Sequence, residues 1–288
     1  MQKTKLMVAV LGALCAMPVF AADAPAAPAA PVAAAAPAVT GSFGFVSDYV
    51  FNGISQSFRS PALQGGFDYN HASGLYVGTW ASNISGNQYT NANMEWDIYG
   101  GYKGKVSDDL SYDVGLMTVT YPAGKTADPT TAVYKRWDTA EVVAGATWKS
   151  LNVKLTYTLT DWYGINNGGY APQLWNANGT LGAPTADNPT KTDLGSTGST
   201  YVELNYTYEV SDSLKVIAHI GNQKVANFSK LDYTDYKLAV SKSYEGFDFG
   251  LAFTTTNATD NNLYHVKANG DDKVLSGNII AASVSHAF

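Results

Sequence analysis

"LNVKLTYTL", Leu151 to Leu159, alternates without a break between apolar and polar side chains. Leu151, Val153, Leu155, Tyr157 and Leu159 share one side of an extended chain, and Asn152, Lys154, Thr156 and Thr158 share the other. A helix would mix the two sets around its circumference. A strand keeps them apart, because successive side chains point to opposite faces. The same period of two recurs in "YVELNYTYEV" (Tyr201 to Val210) and "MEWDIYGGYK" (Met94 to Lys103), where Trp96, Ile98 and Tyr102 oppose Glu95, Asp97, Tyr99 and Lys103.

Extending that period along the chain predicts twelve strands, at 40–51, 62–69, 74–83, 94–104, 110–120, 138–148, 151–162, 199–209, 213–221, 234–244, 246–256 and 275–288. Tight turns such as "NHAS" and "KVSDD" follow every second strand, and longer loops, up to Tyr163–Gly198, follow the others. Short turns at one end, long loops at the other and an even strand count describe a transmembrane outer-membrane β-barrel, all-β and antiparallel. Outward parity puts Tyr69, Tyr102, Tyr112, Trp148, Tyr208, Tyr244, Phe247 and Phe288 close to the short-turn end. Such a belt suits an aromatic girdle, whereas a soluble sandwich would place Leu, Ile and Val there to interdigitate. The chain ends "IAASVSHAF", and a terminal Phe after alternating apolar residues resembles the closing strand of barrels inserted by the outer-membrane assembly machinery.

The N-terminus fits export. Lys3 and Lys5 precede an apolar run, and Val19-Phe20-Ala21 offers small residues for cleavage, so residues 1–21 read as a signal peptide. Cys15, the single cysteine, lies inside it, leaving a mature chain without disulfides. Residues 22–39 are Ala/Pro-rich and read as an extended periplasmic linker, with residues 40–288 as the barrel. Formal charge is -6 for the whole chain and becomes -8 without Lys3 and Lys5, which argues against nucleic acid as a partner. After the signal no apolar run is long enough for a membrane-spanning helix. Tyr (19) and Gly (27) are abundant while charged residues make up only 15%, a balance that favours a membrane sheet over a soluble helical domain.

One segment carries a resemblance. "SDYVFNGISQSFRSPALQGGFDYNHASGLYVGTWASNIS", followed by "EWDIYGGY" and "LSYDVGLMTVTYPAG", is similar to the TorF porin family of bacterial proteins, long described as of unknown function. The likeness covers about Phe43 to Gly124. It implies an outer-membrane barrel and a channel, and it names no substrate. The family pattern often has a basic residue before Gly-Ile-Ser, where this chain has Asn52, with Arg59 the nearest cation. Within the segment, Phe43, Phe45, Tyr49 and Phe51 are expected outward on the first strand, and Leu63, Phe67 and Tyr69 on the second. Gly-Ile-Ser-Gln-Ser then forms the first extracellular loop.

Catalytic signals are thin. Of His71, His219, His265 and His286, parity sends only His219 into the lumen, and Gly221 stands where a barrel lipase would need its serine. "NATDNN" (Asn257 to Asn262) and "NGDDK" (Asn269 to Lys273) lack the spacing of a calcium loop. No catalytic residue, metal site or cofactor is expected. The inward set contains Asp48, Asp68, Glu95, Asp97, Asp113, Glu141, Glu203, Asp235 and Asp248 against Lys103, Lys149, Lys154, Lys215 and Lys237. Acids in excess suggest a weakly cation-preferring pore wall, with cross-strand ion pairing as the plainer account of the same residues. The expected function is passive diffusion of small hydrophilic solutes or ions. The alternatives are a non-conducting structural or adhesive barrel and, behind it, an outer-membrane enzyme. Expected partners are outer-membrane lipid and lipopolysaccharide, the barrel-assembly machinery and the solute, with oligomerisation left open.

A barrel of this kind keeps its fold in sodium dodecyl sulfate until heated. The protein should therefore migrate as two bands, unheated and boiled; a detergent-independent soluble monomer would contradict the fold.

Overall fold

Alternation becomes architecture through backbone pairing. The computed structural model describes residues 38–127, 134–166, 194–258, 264–268 and 270–288. The expected signal peptide, most of the linker and residues 167–193 of the longest loop lie outside the described residues. Among the described residues, twelve antiparallel strands close into a barrel: β1 (Ala38–Val46), β4 (Ala62–Asn70), β5 (Leu75–Asn83), β6 (Met94–Lys105), β7 (Leu110–Thr120), β10 (Thr139–Trp148), β11 (Leu151–Thr158), β12 (Thr200–Ser211), β13 (Leu214–Lys224), β14 (Tyr233–Tyr244), β15 (Phe247–Thr256) and β18 (Ile279–Ala287). Three small hairpins belong to the long loops: β2 (Val50–Phe51) with β3 (Ile54–Ser55), β8 (Lys125–Ala127) with β9 (Tyr134–Arg136), and β16 (His265–Ala268) with β17 (Asp271–Val274). Each barrel strand pairs with its sequence neighbours, and β1 meets β18 to shut the ring.

The outer face is what lipid requires. Leu155, Val202, Leu238, Leu251 and Phe253 are exposed there, and so are all eight residues of the expected girdle. Around the terminal Phe288 the belt forms a cluster: its ring lies 6.4 Å from Phe67 and 6.3 Å from His286, which also contacts Phe43 and Phe247. Among the described residues no helix is long and apolar enough to cross a membrane. The fold is a closed barrel of the outer-membrane type.

Most strand bounds fall within three residues of the expected ones. Three ends differ. The first strand stops at Val46 instead of residue 51, because Ser47–Asp48 bends the chain inward; Tyr49 is 3% exposed and Phe51 is partly buried, so neither faces lipid as expected. The seventh stops at Thr158, four residues early, where the chain turns towards Trp162–Gly164. The last begins at Ile279, since Asp271–Val274 belongs to a separate hairpin. Lys149, expected inward, sits in the β10–β11 turn beside Asp109.

Leu251 lies midway along β15 on the lipid face and is 57% exposed to it. Leu251→Arg should destabilise the folded barrel by about 2–4 kcal/mol in reversible denaturant titrations from lipid. Ser241→Arg, at an inward position of the adjoining β14 opposite Gly250, should cost clearly less.

Candidate functional site

The bend at Ser47 starts a loop that folds into the bore. Asn52 (φ 46°) and Gly53 (φ 79°) occupy the two central positions of a two-residue turn between β2 and β3, with Phe51 opposite Ile54. Asn-Gly is the favoured pair for this turn because both positions need a left-handed backbone. Asp48 fixes the loop from within: its Oδ1 accepts from Ser55 Oγ at 2.6 Å and Ser57 Oγ at 3.0 Å. Burial pushes the Asp48 carboxyl up from its ordinary value, and the two hydroxyls and the Arg59 guanidinium pull against that shift. Arg59 fixes the loop from outside. It donates to the carbonyls of Val274 (3.0 Å), Ser276 (2.7 Å) and Asn278 (3.4 Å), spanning the return from the last hairpin to β18.

From its strand of origin the hairpin reaches across the ring. Tyr49 donates its hydroxyl to Glu95 on β6 at 2.7 Å, and Gly53 packs so closely on β14 that a Cβ there would lie 2.7 Å from that of Asp235. Phe51 and Asn52 face β10, β11 and β12, the wall opposite β1. From that wall comes a second tip, Trp162-Tyr163-Gly164, a single 3-10 turn held by the Trp162 N–H to Ser196 Oγ at 2.8 Å. Tyr163 adopts φ 46° and ψ 41°, unusual for a non-glycine residue.

Phe51, Asn52, Trp162 and Tyr163 line two small neighbouring cavities. One is bounded by Glu141, Lys154 and Glu203 together with Thr156 and Thr158. The other is bounded by Gln56, Tyr89, Tyr233, Tyr264 and further uncharged side chains from the long loops. The two tips therefore stand between a charged chamber in the barrel and an aromatic vestibule among the loops.

Below and around the tips, carboxylates are held mainly by tyrosines. Asp68, Gly78 and Tyr99 lie in one register row, and Tyr99 extends over Gly78 to donate to Asp68 at 2.8 Å. Tyr76 likewise crosses Gly101 and Gly115 to reach Asp113 at 2.9 Å, and Tyr201 crosses Gly221 to reach Asp235 at 2.9 Å. In each case the glycine leaves room for the tyrosine, where a side chain would block it. Glu95 accepts from Tyr49 and also from Tyr121, at 2.9 Å.

Every residue expected on the pore wall can be placed. Asp48 ties the inward loop at its base. The structure groups Glu95, Asp97 and Glu141, within electrostatic reach of one another, near the loop end. Lys154 pairs with Glu203, and Asp235 accepts from His219 Nε2 at 2.9 Å while His219 Nδ1 faces Asn205 Oδ1 at 2.6 Å. Asp68, Asp113 and Lys103 occupy the short-turn half, where Lys103 donates to Asn70. Lys215 lies apart from the chamber beside Glu209, and Lys237 lies on β14 opposite His219. Asp248 sits at the short-turn rim against Ser243. Sequence reasoning missed the tyrosines that bind these carboxylates, and the inward course of the first loop. The Asn52-Gly53 pair and the inward glycines were the available signals.

A family profile described as "Bacterial protein of unknown function (Gcw_chp)" matches residues 30–288. No curated protein matches in sequence. Among solved structures, the chain is similar to the KdgM porin at 7% identity and a TM-score of 0.46, covering 86% of this chain and 99% of that one. It is similar to the NanC porin at 10% identity and 0.44, with coverage of 86% and 99%. OccAB3 of Acinetobacter baumannii aligns at 9% identity and 0.40, over 85% of this chain and 63% of that one.

The glycine rows are testable directly. A Cβ on Gly221 would lie 1.9 Å from the Tyr201 hydroxyl, so Gly221→Val forces the tyrosine off Asp235. Loss of that charge-assisted bond should cost about 1.5–3 kcal/mol in denaturant titrations. Val at Gly145, whose Cβ would have no neighbour closer than 3.6 Å, is the control and should cost less.

Proposed function

We propose that this chain, which belongs to the Gcw_chp family of bacterial proteins, is a porin-type channel of the outer membrane that passes small hydrophilic solutes or ions by passive diffusion. The observation that supports this most is the pair of loop tips between two cavities inside a closed barrel with a polar, charged inner wall. A barrel serving only as a scaffold gains nothing from buried carboxylates aimed at its axis, whereas a selective pore needs polar groups at its narrowest point. The excess of acids over bases on that wall gives the pore a weak preference for cations. Lipid and lipopolysaccharide meet the apolar outer face, and the assembly machinery reads the strand that ends in Phe288.

A bore crossed by loops also fits the rival, a non-conducting structural barrel. Planar-bilayer recording separates the two. Protein that shows the heat-modifiable band should give discrete conductance steps, with a reversal potential in a KCl gradient on the cation-selective side. Replacing Val50–Ser55 by a short glycine linker should raise the conductance at least about twofold, because it removes the tip that narrows a twelve-stranded bore. Arg59→Ala, which unties the same loop, should raise both conductance and open-channel noise. Silence from folded protein, with and without the hairpin, would overturn the proposal.

A further inference from the structure

We propose that the long loops close over the mouth of the barrel as a dome, and that the second of them, residues 84–93, is a strap whose release opens the channel. This rests on the channel reading above and adds its regulation.

Every long loop enters one buried apolar cluster. Phe58, Ala92, Trp137, Ile165, Phe228 and Leu275 come one from each of the six loops, and none is more than 3% exposed. Loops standing apart around an open mouth would leave such side chains in water, at a cost that grows with their apolar area.

Neighbouring loops are also tied to one another, in order, around the whole ring. Ser85 N–H donates to the Gln56 carbonyl at 3.1 Å, and Trp137 Nε1–H to that of Thr90 at 3.4 Å. The Tyr121 and Tyr163 rings meet at 6.2 Å, and Asn227 Nδ2 donates to the Gly195 carbonyl at 2.8 Å. The Tyr264 hydroxyl donates to the Leu231 carbonyl at 2.9 Å. Ser55 N–H donates to the Leu275 carbonyl at 2.8 Å, which brings the ring back to the first loop. The loops converge over the centre as well: Asn52, Tyr89, Trp162 and Tyr264, from four of them, border one small cavity.

The second loop is the part built to move. Much of its backbone bonding closes on itself, with Ile84 N–H on the Asn93 carbonyl at the base and Ala92 N–H on that of Tyr89 within. Lifting the loop as one piece breaks neither bond. Its hold on its neighbours centres on Tyr89, whose ring stacks on Tyr121 at 4.4 Å and meets Trp137 edge-on at 6.0 Å, and whose hydroxyl donates to Gln56. The first loop, by contrast, is fastened by Asp48 and Arg59, and the fourth by Ser196.

Opposed terms make the dome a two-state element. Burial favours closure. The left-handed backbones of Phe58 (φ 58°), Ala123 (φ 63°) and Tyr163 (φ 46°) oppose it, since a residue with a Cβ keeps that form only while its surroundings impose it.

The test records single channels in planar bilayers from chains that begin at residue 22, which contain no native cysteine. The wild type should stay closed most of the time and open in brief steps. Tyr89→Ala should raise the ratio of open to closed time about tenfold. Asn91→Cys with Lys125→Cys puts thiols on the second and third loops, at exposed positions already joined by a 3.2 Å hydrogen bond. A short cross-linker attached through disulfides should suppress the steps only when both thiols are present, and a reductant should restore them. If Tyr89→Ala lacks the heat-modifiable band, the cross-link decides, together with Tyr89→Phe, which loses the bond to Gln56 and should also lengthen openings. A wild type that stays open, steps that neither change alters, or equal suppression with one thiol would overturn the strap and keep the channel. Absence of steps from all these folded proteins, and from the chain without Val50–Ser55, would remove channel and strap together.

Discussion

Closure of β1 on β18 is the constraint on which everything else depends. In hydrocarbon an unpaired backbone N–H or C=O has no water to turn to, so a sheet can span only as a ring. The seam runs from Val46 opposite Ser283 to Ser42 opposite Ala287, and Gly41 and Phe288 exchange backbone hydrogen bonds at 2.8 and 2.9 Å just beyond it. Once the ring is closed, lipid fixes the outer face and strand number fixes the bore. Side chains on the wall of a barrel this wide cannot pack its centre alone, so the interior must hold water, loops or both.

This chain uses its loops asymmetrically. The first loop and the Trp162–Gly164 tip enter from opposite walls, while inward positions of the short-turn half such as Ser241 and Ser285 carry small side chains. The buried acids then have to be satisfied. Cross-strand ion pairing, the plainer account of the inward charges, holds for Lys154 with Glu203 and for Lys215 with Glu209. Asp68, Asp113, Glu95 and Asp235 instead take tyrosine hydroxyls. A tyrosine neutralises nothing. The carboxyls are held in place by hydroxyls, which differs in kind from a wall lined with ion pairs.

The strands were legible because a period of two is a local property, and parity along each strand also told inward from outward. The ends of three strands were not. Tyr49 and Phe51 continue the alternation of Phe43 and Phe45 past the bend, and nothing local marks the change. The bend depends on Asp48 meeting Ser55 and Ser57, and on Arg59 meeting carbonyls more than two hundred residues further along the chain. The tyrosine contacts were illegible for a related reason. Tyr99 reaches Asp68 only because Gly78 stands between them in the register of three strands, and no single segment contains that row.

The segment Ser47 to Ser60 now divides by role. Asp48, Ser55, Ser57 and Arg59 bond to the loop itself or to the last hairpin, and Asn52-Gly53 makes the turn. Only Phe51 and Asn52 border both cavities. Most of the residues that make this stretch recognisable therefore specify how a loop is carried into the bore and held there. On the channel reading proposed above, what the bore admits would depend on two side chains at its tip, two on the facing tip, and a wall whose carboxyls come from strands far away in sequence. A chain could keep the whole loop scaffold and still change its solute by altering those few positions.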